Sequence, residues 1–122
     1  MADFDFIDYI VVYGRKYNTG HTFIKDAFKT DFEQFVPIVY ESDHNVCVGG
    51  AKLEHRDGGV VAKCKFGKDS LGELAAKLVD DGECGLSFLA IPVKREGGII
   101  KSGTIRAVLL VDKHNMPCIV EE

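Results

Sequence analysis

At 122 residues, with 46% hydrophobic and 28% charged side chains, the chain has the composition of one ordinary globular domain, residues 1–122, with a core of its own. A net charge of −4 with scattered lysines and arginines argues against a nucleic-acid surface, which needs a basic patch. No run approaches the roughly 18 apolar residues of a membrane span, and the start of the chain lacks the basic-then-apolar layout of a signal peptide, so a cytoplasmic location without membrane contact is expected.

In chain order, Ile7 to Gly14 is rich in β-branched and aromatic residues and reads as a first strand. A polar loop, Arg15 to Gly20, follows. Thr22 to Lys29 then spaces Phe23, Ala27 and Phe28 like one face of a short helix, with Thr22 as its N-cap. Phe35 to Glu41 is the second strand, in which Pro37 marks an edge position or a strand start. Glu41 to Asn45 is a polar stretch carrying His44, whose side chain type titrates near neutrality. Val46 to His55 is the third strand, with a bulge or a close backbone approach at Gly49-Gly50. Arg56-Asp-Gly-Gly59 is a hairpin turn, and Val60 to Phe66 returns antiparallel, with Val60, Ala62, Cys64 and Phe66 on one face.

Asp69 to Asp80 is the clearest helix. Ser70-Leu-Gly-Glu73 has capping-box spacing, Leu71, Leu74, Ala75 and Leu78 form one apolar stripe, and Gly82 can stop it. Cys84 to Val93 is a strand in which Ser87 is the one hydroxyl of an apolar run. A turn at Glu96-Gly-Gly98 leads to one or two strands over Ile99 to Val111, a loop over Asp112 to Met116, and a last strand over Pro117 to Val120. The fold class expected is mainly β with α (α+β): an antiparallel barrel of about seven strands with two or more short flanking helices.

Cys47, Cys64, Cys84 and Cys118 are widely spaced, without a Cys-x-x-Cys pair, and His21, His44, His55 and His114 supply no close second pair of zinc ligands. Reduced structural thiols are the reading. Taken one by one, His21, His44, His55 and His114 are ordinary turn or loop residues, and Ser87 an ordinary core hydroxyl.

The ordered set of segments resembles the phage prohead (procapsid maturation) serine proteases, relatives of the herpesvirus assemblins. The pieces that carry the resemblance are Ala27-Phe28, the apolar run ending in Asp43-His44-Asn45, Val48-Gly49-Gly50, the Asp57 turn, Ser87-Phe88-Leu89 after the helix, and Ala107 to Pro117. The resemblance implies an endopeptidase that trims scaffold and capsid segments, in the cytoplasm of a bacterial host and inside assembling heads. Ser87 would be the nucleophile and His44 the general base, with backbone N–H groups of Asp112 to Met116 as oxyanion donors. It also implies capsid or scaffold protein as partner and self-association, as a dimer in the assemblins; the chemistry calls for no cofactor. Two departures stand out: Ala107 occupies the place of the family's Glu, leaving Asp112 and His114 as substitutes, and the serine-glycine step after Ser87 is missing. The alternative is a catalytically degenerate, protease-like fold acting as a structural or assembly protein of a phage or prophage particle; a generic β-barrel binding module is a third reading.

Overall fold

The computed structural model describes residues 5–30 and 33–116. The protein is mainly β, a nearly closed barrel, with strands β1 (Phe6–Val12), β2 (Thr22–Phe23), β3 (Gln34–Tyr40), β4 (Cys47–Arg56), β5 (Gly59–Phe66), β6 (Cys84–Glu96) and β7 (Ile99–Asp112). One α-helix, α1 (Ser70–Asp80), joins β5 to β6, and a 3-10 turn, Lys113–Asn115, follows β7. The Pro117 to Val120 segment and Cys118 lie outside the described residues.

The barrel wall runs β1-β5-β4-β3-β7, continued by β6 on the far edge of β7, with the two-residue β2 also paired to β7. The β4–β5 hairpin turns on Asp57-Gly58, but the positive φ (154°) belongs to Gly59. A Cβ on Gly59 would lie 1.9 Å from the Val11 carbonyl oxygen, so glycine here serves the close passage of β1. The β6–β7 hairpin turns on Gly97-Gly98 as read from sequence, and its two strands are single elements of 13 and 14 residues. Gly49 is a close approach: a Cβ there would meet the Lys65 carbonyl oxygen at 2.3 Å, and the register slips beside it, between Ile38 and Val39.

Three expectations need correction. The barrel is not wholly antiparallel: β3 and β2 both run parallel to β7. Residues 22–29 are not a helix. Thr22 and Ile24 donate backbone hydrogen bonds to Gly98 and Ile100 of the β7 strand region, and Asp26 takes a φ of 65°. An eight-residue segment cannot offset helix nucleation on its own, and pairing with an available strand edge wins. The barrel therefore has one flanking α-helix among the described residues. Pro37 sits mid-strand with neighbours on both sides, yet the β7 ladder is registered only from Ile38 onward, so locally it behaves as an edge position.

The helix differs in its details. Its N-cap is Asp69, whose Oδ1 accepts from Gly72 N at 2.8 Å, and not Ser70. Its buried face is Gly72, Ala75 and Val79, while Leu71 and Leu74 are about half exposed. A Cβ on Gly72 would fall 2.1 Å from the Gly67 carbonyl oxygen. Only glycine permits that approach, and turning Gly72 inward rotates the leucines out.

One apolar core fills the barrel, with Phe28, Ile38, Val60, Val108 and Ile105 among its most buried side chains. Helix α1 closes it through Ala75 and Val79. A smaller cluster lies on the outer face of the wall: Val39, Ala107, Leu109 and Val111, with Met116 against them.

Candidate functional site

Two regions gather the candidate residues: a strip on the outer face of β3, β7 and β6, and a cleft between β1 and β6.

The strip is set by register. Val39 of β3 pairs with Leu109 of β7, and Leu109 pairs with Ser87 of β6, so the three share one row. Opposed residues project to the same side of a sheet; Ser87 thus belongs to the outer face with Leu109, while its neighbours Leu86 and Phe88 pack into the barrel core. β7 stands between Ser87 and β3, which separates those strands by two spacings, roughly 9.6 Å. His44 lies in the exposed turn after β3, closed by the Asp43 N–H to Tyr40 carbonyl and Val46 N–H to Asp43 carbonyl bonds. Asp112 ends β7 opposite Cys84, and His114 is exposed in the 3-10 turn beyond it. The strand order thus brings Ser87, His44, Asp112 and His114 to one end of three adjacent strands.

Among the described residues, these four share one hydrogen bond: the Asp112 carboxylate accepts from the backbone N–H of His114 at 2.9 Å. That bond is an N-cap. The neighbouring Lys113 N–H donates to the Glu83 carbonyl at 3.0 Å. Two of the N–H groups in the loop expected to stabilise an oxyanion therefore already have protein acceptors. Ala107, at the position where the resemblance would place a Glu, is buried in the outer apolar cluster beside Leu109 and Val111.

The cleft was not legible in the sequence. It has a volume of about 570 Å³ and lies where β1 and β6, the two ends of the wall, face each other without a ladder. Its floor is aromatic. Phe23 packs on Phe28 and Phe88 at centroid distances of 5.4 and 5.3 Å, Phe28 on Phe88 at 5.6 Å, and Tyr17 edges against Phe23 at 5.8 Å. Local structure explains two of these rings. Gly103 lets Phe28 in, since a Cβ there would sit 2.9 Å from its ring. Tyr17 is held by its hydroxyl accepting from Val12 N at 3.0 Å, and burial pushes that phenol above its ordinary pKa. At the rim stand Thr19, His21, Ser87 and Arg95, the His21 ring nitrogen Nδ1 lying 3.1 Å from Thr19 Oγ1. His21, read as an ordinary loop residue, is therefore part of a cleft. The signal for it was the aromatic spacing of Tyr17, Phe23, Phe28 and Phe88, which identifies a cleft only once the loop folds over the wall.

Among the described residues, no group of three or more histidine, cysteine, aspartate or glutamate side chains could hold a metal ion, and no helix is long and apolar enough to cross a membrane. No protein-family model, no curated protein and no solved structure matches the chain.

Proposed function

We propose that the chain is a prohead-protease-like barrel that serves as a non-catalytic structural or assembly component of a phage-type particle, in contact with capsid or scaffold protein. The observation that carries this reading is the Asp112–His114 N-cap, which engages the substitute acid and one expected oxyanion donor in a single local bond. Apolar packing around Leu109 in the row between Ser87 and β3 points the same way. Stabilising a tetrahedral oxyanion requires free donors aimed at it, and a serine hydroxyl requires a base in hydrogen-bond reach.

A second reading, serine endopeptidase with Ser87 as nucleophile and His44 as base, is favoured by two facts. Ser87 is partly exposed at the rim of the cleft, and all four candidates sit at the same end of adjacent strands. One experiment separates the two. Wild-type protein and Ser87→Ala are incubated with scaffold and capsid-protein peptides and with an active-site serine probe, with mass-spectrometric readout. The assembly reading expects identical peptide maps and no adduct on Ser87; cleavage that disappears in Ser87→Ala would replace it with the protease.

A further inference from the structure

We propose that the cleft between β1 and β6 is a binding site for an amphipathic monocarboxylate, an aliphatic or aryl chain ending in a carboxylate. The cleft's volume of about 570 Å³ falls within the roughly 300–1,000 Å³ of small-molecule sites. Its floor is a continuous aromatic surface from Tyr17, Phe23, Phe28 and Phe88, suited to a methylene chain or a ring.

Charge at the mouth selects the head group. Arg95 is the one charged side chain of the lining, and no aspartate or glutamate accompanies it among the described residues. The adjacent Glu96 is bonded to Lys101 at 2.6 Å, and no ion pair among the described residues engages Arg95. In a protein of net charge −4, this leaves a local cation beside an apolar slot. A guanidinium offers a planar fork of donors that fits a carboxylate in two parallel hydrogen bonds. Thr19 and His21, on the same rim, add polar contacts.

Seam width distinguishes a small ligand from a peptide strand. A strand added between β1 and β6 would need the flanking strands roughly 9.6 Å apart, twice the interstrand spacing. Cα atoms of β1 and β6 instead approach within 8 Å. Where the two strands come that close, no further strand fits between them.

The test is calorimetric titration of the whole protein with decanoate, with decanol as the neutral probe of equal length, alongside amide chemical-shift mapping. Saturable decanoate binding is expected, at least tenfold tighter than decanol, with shifts at Thr19, His21 and Ala90. Arg95→Gln, a change at an exposed position, is expected to bring decanoate down to the decanol level while leaving the fold and decanol binding unchanged. Absence of saturable binding, equal affinity for the two probes, or an unchanged Arg95→Gln would each overturn the proposal. So would an extended peptide binding the same residues when decanoate does not. The site does not involve the Asp112–His114 cap, so its failure and the failure of the assembly reading are separately visible.

Discussion

His55 shows how a single buried atom sets a pH response. Its Nδ1 is buried without a hydrogen-bond partner among the described residues, and Nε2 lies 3.4 Å from Thr30 Oγ1. Burial, and then the Lys29 charge, lower its pKa below the ordinary 6.5. The fold therefore favours the neutral ring. Its contribution is fully present above the unfolded-state pKa and is lost as the pH falls through about 6.5, until the folded protein also takes up the proton. Urea unfolding at pH 7.5 and 5.5 should show wild type losing stability across that interval, and His55→Gln losing less. An equal loss in both would place the sensitive group elsewhere. Gln34 makes a different contribution at the same scale. Its Nε2 donates to the Ile105 carbonyl at 2.8 Å from a buried position, tying β3 to β7 beyond the short stretch where their ladder is registered. Gln34→Ala should destabilise by about 1–3 kcal/mol, the range for stranding a buried hydrogen-bonding group, with thermal or urea unfolding as the check. Cysteine chemistry follows burial as well: Cys64 is fully buried, and desolvation, aided by Asp5 and Asp8, pushes its thiol up to about 12, whereas Cys47 is exposed. Timed alkylation read by peptide mass should modify Cys47 first and reach Cys64 only on unfolding; early modification of Cys64 would contradict this packing.

At the scale of the element, helix α1 separates what a local pattern can and cannot reveal. Its existence and limits follow from composition and from Gly82 at its end, but Asp69 and Ser70 compete for the cap. The winner is Asp69, because its side chain reaches Gly72 N. Asp69→Ala should therefore cost about 1 kcal/mol, and Ser70→Ala much less; the reverse order in unfolding experiments would restore the capping box. Gly72→Ala is the sharper test. In an exposed helix that change stabilises by roughly 0.5–1 kcal/mol, but here the added Cβ meets the Gly67 backbone, so a net loss of stability is expected. Residues 22–29 teach the complementary lesson. Their 3.6-residue spacing of Phe23, Ala27 and Phe28 is real, yet the same rings reach the core from a two-residue strand and a turn. Periodicity records which side chains are buried, and a short segment can bury them in more than one backbone form.

For the molecule as a whole, the incomplete closure of the wall matters most. Strands β3, β4, β5 and β7 have a hydrogen-bonded neighbour on each side, whereas β1 and β6 each have one, and residues 91–99 of the β6–β7 arm are exposed throughout. Amide hydrogen exchange should accordingly be slowest in β4 and β5 and faster at the outer edges of β1 and β6; uniform protection across the sheet would show a barrel closed in solution. The sequence by itself determined the longer strands β1 and β3 to β7, the two tight hairpins and the helix, because alternation, glycine pairs and a capped apolar stripe are local signals carried within ten or so residues. It also singled out Ser87 and His44 as notable residues. Only the tertiary structure decided that β3 runs parallel to β7, that β7 stands between Ser87 and β3, and that Tyr17, His21 and Arg95 share a cleft. Those relations join residues dozens of positions apart. They depend on which strand edges meet and on where glycine lets two backbones touch, and no local pattern encodes either.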